Sequence, residues 1–587
     1  MSKVHLTISA IAVILTSALA GCGGGGGDSL TPLNPYDPSK DLLACVPGAD
    51  SSGAWKVISN NNVTVPNSPL VKFFSYNQPS INSSGLVVFR GRAKSPSGGA
   101  GGGVQRGIYA ADVCPTTLSI YTVADTNTAV PAPNNTGTVF TEFPSIPRID
   151  MDTGVLATRG QSQPVWTLPD GTKLGTSGLY VSMPTGLVTG VGLFGALTDY
   201  AYMQVPNATS TTPLRFDQFP GSPSMANARY LVFKGNYTDV DTSGALTVSK
   251  TGVYYRDMNV ANSPVTVIAD SNTLIPGTST LFGSTAPPSA ANGHVVFTGL
   301  DIETAPTLGG IYIAPMASKP TLTPLVTIGS PVPDSAGVAL TDGSTFTQFG
   351  EGLSFDGRYV SFWGAWGTDG TRNVTLNCPG DGNADLIAAC QAQSGGTGVT
   401  VLPVSVDQGI FVYDTQQNKV WMAARSGPGN TAQFQDFLFW VFSGNPKTTD
   451  GEPPRWRSSA FAAVDGARGV IFKGALSTPT GATGVTPASG LYGSALLAGN
   501  AGMGPVFKVV ALGDDMATLD PAAPAASAIT SLGIEREALR SGWFVLTASS
   551  LNAAAESWAG LYATYFSGAF RLGTTPDQYG MLPLVLK

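Results

Sequence analysis

Charged side chains are scarce in this sequence, since Asp, Glu, Lys and Arg make up 12% of its 587 residues. The net charge is −7, which leaves no basic surface to neutralise a phosphate backbone and argues against nucleic-acid binding. Only two histidines occur, and His294 is the only one beyond the N-terminal segment. A His-based metal cluster is therefore excluded, as is any Ser-His or Cys-His pair that omits His294. His294 itself begins a predicted strand and has no partner motif, which indicates a structural role.

Glycine and proline are abundant, with 72 and 43 copies, and suit short strands joined by tight turns. One pattern organises these strands, running from Pro79 to Gly91 and closing on Gly-aliphatic-aromatic. The closing tripeptide occurs seven times, at Gly107-Ile108-Tyr109, Gly178-Leu179-Tyr180, Gly252-Val253-Tyr254, Gly310-Ile311-Tyr312, Gly409-Ile410-Phe411, Gly490-Leu491-Tyr492 and Gly560-Leu561-Tyr562. A repeat of this kind takes precedence over length in assigning domains.

Each copy divides into four strand-like runs, as Leu231 to Phe233, Gly252 to Tyr255 and Val265 to Ile268 illustrate for the last three runs of the third copy. Seven units of four short antiparallel strands predict an all-β fold, a seven-bladed β-propeller over residues 55–587. A linear solenoid is less favoured because it needs capping ends and usually keeps a stricter period than this one.

Outer-strand candidates number eight for seven blades, the first at residues 55–60 and the last at 569–573. We expect the N-terminal strand to complete the last blade and so close the ring. A further repeated element is Phe-x-x-Phe, as in Phe140 to Phe143 and Phe216 to Phe219. Its apolar ends should anchor it in the core, with its polar pairs around one face of the channel.

These elements resemble bacterial tandem-repeat proteins described by the motif Asn-x-x-Gly-x-x-Ala-Phe, which are attached to the cell surface by varied anchors. Asn82 to Phe89 carries the motif with Val88 in place of Ala. The resemblance implies a repeat architecture and surface attachment, and it transfers no catalytic residue.

Residues 1–21 have the features of a secretory signal, and Leu19-Ala20-Gly21-Cys22 resembles a bacterial lipobox. The resemblance implies a diacylated Cys22. Gly23 to Gly27 and the polar, Pro-containing stretch that follows predict a flexible tether within residues 22–54. Gly23 stands where an Asp would resemble an inner-membrane retention signal, which favours the outer membrane. The alternative is an ordinary signal in which Cys22 is incidental. With Cys22 lipidated, four cysteines remain in an oxidising compartment, which predicts two disulfides. Three connectivities are open, and we expect Cys378 to pair with Cys390 and Cys45 with Cys114.

The largest departures from the repeat are insertions at about residues 364–408 and 438–456, where binding is expected because long loops on rigid scaffolds often carry it. Asp381, Asn383 and Asp385 match the first ligand positions of a calcium loop, but the later positions do not. A hydrated turn is the favoured alternative to a calcium site, and no other cofactor is indicated.

Four tryptophans and two arginines near these insertions are candidate binding residues. Indole rings offer a platform for sugars or an apolar partner, although aromatic residues also pack between propeller blades. Trp366 is expected to be the most exposed ring. The candidates are Trp363, Trp366, Trp440, Trp456, Arg455 and Arg457.

Charged residues near the inner strands of the seventh copy suggest a second kind of site. Glu535 and Glu537 would lie on one side of a strand and Arg536 on the other. Two carboxylates can divide the acid and base roles of glycoside cleavage, whereas ion pairs between blades explain the same residues without catalysis.

The sequence therefore predicts a lipid-anchored outer-membrane protein whose propeller binds a protein partner or a glycan, with no reaction required. The first alternative is an extracellular polysaccharide hydrolase or lyase that uses the carboxylates and arginines of the channel. The second alternative is a factor for envelope assembly.

Overall fold

The computed structural model confirms an all-β chain that folds as a seven-bladed propeller of antiparallel blades. No helix among the described residues is long and apolar enough to cross a bilayer. The structure describes residues 54–66, 68–94, 104–114, 118–134, 137–167, 173–192, 201–241, 243–244, 246–367, 370–380, 383–426, 434–444, 454–476 and 489–567. The predicted signal, Cys22 and the tether lie outside these ranges.

The first described strand, β1 (Lys56–Asn60), belongs to the last blade, and the first three blades follow it in chain order. Blade 1 consists of β2 (Thr64–Val65), β3 (Ser68–Tyr76), β4 (Ser80–Ile81), β5 (Leu86–Lys94), β6 (Gln105–Asp112) and β7 (Ile120–Asp125). Blade 2 consists of β8 (Val139–Glu142), β9 (Arg148–Ile149), β10 (Leu156–Thr167), β11 (Lys173–Met183) and β12 (Gly186–Gly192). Blade 3 consists of β13 (Ser224–Ala226), β14 (Tyr230–Val240), β15 (Thr247–Asp257) and β16 (Thr266–Asp270).

The other four blades repeat this order, and two of them carry additional elements. Blade 4 consists of β17 (Ser284–Thr285), β18 (Ser289–Ala291), β19 (His294–Leu300), β20 (Gly309–Pro315) and β21 (Thr323–Thr327). Blade 5 spans β22 (Phe346–Phe349), β23 (Ser354–Phe355), β24 (Tyr359–Trp366), β25 (Thr371–Asn377), α1 (Ala384–Gln393), β26 (Val399–Ser405), β27 (Gln408–Asp414) and β28 (Lys419–Arg425). Blade 6 spans β29 (Phe434–Asp436), β30 (Phe439–Ser443), β31 (Arg455–Ser459), β32 (Ala462–Asp465), β33 (Gly469–Leu476), β34 (Ser489–Leu496) and β35 (Met503–Ala511). Blade 7 spans β36 (Ala528–Gly533), β37 (Leu539–Arg540), β38 (Trp543–Leu551) and β39 (Ser557–Tyr565). Short 3-10 helices lie at Ala201–Met203, Ala498–Asn500 and Met516–Thr518.

The N-terminal strand closes the ring, as expected from the surplus of outer strands. β1 pairs antiparallel with β39 and supplies the outer strand of blade 7. Asn60 at its end donates from Nδ2 to the buried carboxylate of Asp520, at 2.9 Å. Asp520 also accepts a hydrogen bond from the Trp558 indole at 2.9 Å, so one carboxylate joins the latch strand to the final blade. The competing candidate at residues 569–573 lies outside the described residues.

The glycines of the repeat are explained by close aromatic packing within each blade. A Cβ on Gly107 would lie 2.7 Å from the hydroxyl oxygen of Tyr109, the aromatic residue of its own tripeptide. A Cβ on Gly91, in the preceding strand, would lie 2.7 Å from the ring of Phe73. The Phe73 and Tyr109 rings meet edge to face with centroids 5.0 Å apart, an arrangement that aromatic quadrupoles favour. Corresponding ring pairs recur in blades 2 to 6.

The Phe-x-x-Phe elements have buried apolar ends, which confirms that both ends anchor in the core. Some of them form short strands, such as β8 and β22, whereas Phe216 to Phe219 does not. These elements also receive contacts from the preceding blade. Lys473 in β33 donates from Nζ to the carbonyl oxygen of Leu532 at 3.0 Å, and Thr298 in β19 donates from Oγ1 to that of Gly350 at 2.8 Å. Arg159 in β10 donates to the carbonyl of Phe219 in the same way. In these blades, the residue directly before the glycine equivalent to Gly91 therefore joins neighbouring blades.

Candidate functional site

Seven short inner strands surround the propeller axis and contact one another in a closed ring: β4, β9, β13, β18, β23, β32 and β37. Arg148 in β9 lies fully buried where they meet. Its Nε donates to both carboxylate oxygens of Glu537, at 2.9 and 2.8 Å. Its two terminal nitrogens donate to the carbonyl oxygen of Pro288 at 2.6 Å and to Ser289 Oγ at 2.7 Å. One guanidinium thus joins blades 2, 4 and 7.

The other charged residues of this segment of blade 7 are also engaged. Arg540 donates to the carbonyl oxygens of Val464 at 3.1 Å and Phe355 at 3.0 Å, in blades 6 and 5. Arg536 donates to the Pro287 carbonyl oxygen at 3.0 Å, and its Nε lies 3.2 Å from Glu535 Oε1. The sequence candidates Glu535, Arg536 and Glu537 lie in the turn between β36 and β37, so the expectation that they alternate along a strand is wrong. Glu537 and Arg536 make contacts between blades, whereas Glu535 pairs with Arg536 within blade 7.

The electrostatics of Glu537 do not suit a general acid. Burial raises its pKa, but Arg148, Arg540 and Arg536 together outweigh burial and hold the pKa below its ordinary value. A general acid that works near neutral pH needs a raised pKa and a proton to donate. Glu537 is instead an ionised acceptor held by a bidentate arginine, which is the geometry of a structural ion pair.

The insertions of blades 5 and 6 come together as one surface, which we call the platform and define as β25, α1, β26, β30 and β31. The Cys378–Cys390 disulfide confirms the predicted pairing and ties the end of β25 to α1. Gln393 at the end of α1 donates to the carbonyl oxygen of Pro454 at 2.7 Å, which links the two insertions. The other predicted disulfide involves Cys45, which lies outside the described residues.

The β30–β31 ribbon extends towards blade 4. Arg455 Nη2 lies 2.7 Å from Glu303 Oε1, in the loop that joins β19 to β20. Both side chains are about two-fifths exposed, so this ion pair is solvated and contributes little stability. Arg457 is half-buried and lies opposite Val441 in the ribbon. The two arginines therefore lie on one face of the same ribbon, because residues two apart share a face.

The tryptophans do not form an exposed aromatic surface. Trp363 is buried and donates from Nε1 to Gln408 Oε1 at 2.8 Å. The expectation that Trp366 is the most exposed ring is wrong, since it is 2% exposed and packs edge to face on Phe411. Its position at the end of β24, against the next strand of the blade, places it in the core. Trp440 and Trp456 are half-buried within the platform.

The large apolar side chains that the platform exposes are aliphatic. The exposed fractions of Val401 and Val441 are 52% and 62%, and Val399 is also exposed. Ile302, beside Glu303, is 53% exposed. Among the described residues, β25 and β26 pair only with each other, and so do β30 and β31. Each ribbon therefore presents strand edges whose backbone groups are not taken up by another strand.

The proposed calcium-loop residues adopt another role where they are described. Asn383 caps α1, and its side-chain oxygen accepts from the backbone nitrogen of Asp385 at 2.9 Å. Asp385 lies in the first turn of the helix, where a carboxylate is favoured by the helix dipole. Asp381 lies outside the described residues. Within the part of the chain that the structure describes, no three His, Cys, Asp or Glu side chains are grouped as metal ligands.

Lys473 was not predicted from the sequence to be part of a site. Its Nζ lies 4.1 Å from the centre of the Phe439 ring, at the base of the β30–β31 ribbon. Burial lowers the pKa of this lysine to about 8. Its only signal in the sequence was a positive charge directly before the glycine of the sixth copy that is equivalent to Gly91. His294 is exposed at the start of β19, and its Nδ1 lies 3.0 Å from the Asn292 carbonyl oxygen.

No protein-family model matches the chain, and no curated protein sequence is similar to it. Among solved structures, a Trypanosoma rangeli sialidase in complex with sialic acid shares 10% identity over 74% of this chain, with a TM-score of 0.29. The chain spans 58% of the length of that sialidase. The GH93 alpha-L-arabinofuranosidase of Fusarium graminearum shares 10% identity over 84% of this chain and 98% of its own, with a TM-score of 0.25. The propeller assignment rests on the strand order of this chain itself.

Proposed function

We propose that this protein is a lipid-anchored envelope protein whose propeller binds another polypeptide through the platform. The lipobox-like Leu19-Ala20-Gly21-Cys22 supports the proposed anchor and, with it, the proposed attachment to the bacterial outer membrane. The observation that supports the binding role is the combination, on one braced surface, of exposed aliphatic side chains with ribbon edges that pair with no other described strand.

An extended polypeptide suits this surface better than a sugar does. A strand added to the β25–β26 ribbon would use the free backbone groups of its edge, and alternate side chains of the ligand would pack on Val399 and Val401. Sugar recognition more often uses exposed aromatic faces, and Trp363 and Trp366 are both buried. The platform is also braced by the Cys378–Cys390 disulfide, which reduces the entropy lost on binding.

Catalysis is not needed for this function, and the axial carboxylates argue against it. Glu537 is held by Arg148, and Glu535 Oε1 lies 3.2 Å from Arg536 Nε. Both carboxylates are therefore occupied by arginines rather than arranged as an acid–base pair. A glycosidase requires two carboxyl groups facing a shared cavity at about 5 to 10 Å. The hydrolase or lyase and the envelope assembly factor remain the alternatives against which binding is tested.

The test is selection of extended peptides from a random library by the purified full chain, followed by affinity measurements on the variants. Val401→Asp removes an exposed apolar contact from the platform, and we expect it to weaken peptide binding about tenfold or more. Val260→Asp is the matched control, because Val260 is 49% exposed and lies outside the platform. Equal loss in both variants would contradict the assignment of the platform.

The alternatives give different results in the same study. Polysaccharides that bind where no peptide does would favour the glycan reading, and their cleavage would favour the hydrolase. A deletion strain with a damaged envelope, and a chain that binds neither class of ligand, would favour the assembly factor.

A further inference from the structure

Blade 1 carries a cluster of arginines that the repeat does not explain. Arg90 and Arg92 lie two residues apart in β5, so they project to the same side of the sheet. Arg106 in β6 lies directly opposite Arg92 and projects to that side as well. The guanidinium groups of Arg90 and Arg106 contact Glu142 of blade 2.

These arginines and Glu142 lie between blades 1 and 2, in what we call the groove, and the charges there are not balanced. Arg90 Nη2 lies 2.6 Å from Glu142 Oε1, and Arg106 Nε lies 3.0 Å from Glu142 Oε2. Among the charged groups that act on Arg90, Glu142 is the carboxylate and stabilises the charged guanidinium, whereas Arg92 and Arg106 both repel it. In the part of the chain that the structure describes, the ion pairs of this cluster all involve Glu142, so three cations share that one anion. The cross-strand pair of Arg92 and Arg106 would be unfavourable without a further counter-charge.

The Nε atoms of all three arginines are buried without a hydrogen-bond partner among the described residues, and that of Arg106 has only its ion-pair contact with Glu142. Arg90 as a whole is 6% exposed. A buried donor without an acceptor costs free energy, and at a charged group that cost is larger. Arg92 and Arg106 are half-buried, so an incoming group can reach them from solvent.

Comparison with the other blades indicates that the cluster is specific to blade 1. The position of Arg90 is also polar in other copies, where Arg159, Thr298 and Lys473 contact a backbone carbonyl of the next blade. The positions of Arg92 and Arg106 differ, because the other copies have no charge at either one. The residues equivalent to Arg92 are Gln161, Asn236, Leu300, Ala365, Ala475 and Ser549. The residues equivalent to Arg106 are Ser177, Thr251, Gly309, Gln408, Ser489 and Ala559.

We infer that the groove between blades 1 and 2 binds an oxyanion, with Arg92 and Arg106 as the accessible donors and Arg90 as the buried one. The ligand class is a carboxylate, sulfate or phosphate, because planar guanidinium groups match the oxygens of these anions. Glu142 holds Arg90 and Arg106 in position and offsets part of the repulsion among the three cations.

The inference is tested by arginine-specific modification with phenylglyoxal, read residue by residue by mass spectrometry on the full chain. Inorganic phosphate and sodium glucuronate are the probes, with sodium chloride at equal ionic strength as the control. We expect both probes to slow modification of Arg92 and Arg106, while Arg229 keeps its rate. Arg229 is a suitable internal control because its exposed ion pair with Asp257 lies in blade 3.

A variant distinguishes a specific anion site from general electrostatic screening by the added salt. Arg92→Gln removes one donor, and we expect the phosphate concentration that half-protects Arg106 to rise about tenfold. Equal slowing at Arg229 and at the cluster, or protection of Arg106 that is unchanged in Arg92→Gln, would overturn the inference. Glucuronate oligomers that protect at lower concentration than the monomer would identify the anion as part of a polymer, and equal potency would identify it as a free small anion.

Discussion

Glu537→Gln tests whether the axial charges hold the propeller together or perform chemistry. The substitution leaves the Arg148 guanidinium in a fully buried position without its anion, although its contacts to Pro288 and Ser289 remain. Removal of one partner from a buried ion pair costs about 3 to 5 kcal/mol. That is a large share of the roughly 5 to 15 kcal/mol that stabilises a folded domain. We expect a lower urea midpoint at unchanged slope.

Two further variants make the result interpretable. The pair Arg148→Met with Glu537→Met removes both charges together, and it should recover much of the loss because the buried Arg148 charge no longer lacks its anion. Arg229→Ala breaks an exposed ion pair and should cost about 0 to 1 kcal/mol. If Glu537→Gln unfolds at the wild-type midpoint while abolishing turnover of a polysaccharide, the structural account of the axis is refuted.

The contribution of the same ion pair to folding stability should depend on pH. Because the folded pKa of Glu537 lies below its ordinary value, its stabilising contribution is present above that value and is lost as pH falls through the folded pKa. Stability below about pH 4.5 should therefore fall less steeply in Glu537→Gln than in the wild type, as measured by thermal unfolding across a pH series.

Three further predictions concern packing, the buried lysine and the arginine cluster. Gly91→Ala places a Cβ 2.7 Å from the ring of Phe73 and should destabilise the chain by about 1 to 3 kcal/mol in urea, whereas Gly380→Ala meets nothing within 4 Å and should leave the midpoint unchanged; equal midpoints in the two would contradict the packing account. Lys473 has a pKa near 8 in the folded protein, so the unfolded chain binds more protons between about pH 8 and 10.5, and wild-type stability should rise through this window relative to Lys473→Met; a flat difference would contradict the lowered pKa. Arg92→Gln should raise the stability of the ligand-free protein by about 0.2 to 1 kcal/mol, because it relieves a like-charged cross-strand pair, and a loss of stability would contradict the unbalanced charge.

The fold was largely predictable because its determinants are local in sequence. Within the Gly-aliphatic-aromatic tripeptide the glycine leaves room for the aromatic residue two positions later, as Gly107 and Tyr109 show. Seven copies therefore identify seven blades. The latch followed from a count of outer strands. The disulfide followed because Cys378 and Cys390 bound a short insertion.

The site was less predictable because its contacts join distant parts of the chain. Arg148 and Glu537 are 389 residues apart, and no local pattern indicates that they meet. Trp366 was misjudged because its neighbours in sequence indicate an insertion, whereas its burial is decided by packing on Phe411. The arginine cluster could have been found by aligning the copies, since Arg92 is charged at a position where the other six blades carry no charge.

The most direct test of the central claim is hydrogen–deuterium exchange on the full chain with and without a selected peptide. Strand addition to the platform predicts slower exchange of backbone amides in the β25–β26 ribbon, and no change in β37 at the axis. The protection should disappear in Val401→Asp and persist in Val260→Asp. Slower exchange around the axis with an unchanged ribbon, or a bound peptide that protects neither, would contradict the account.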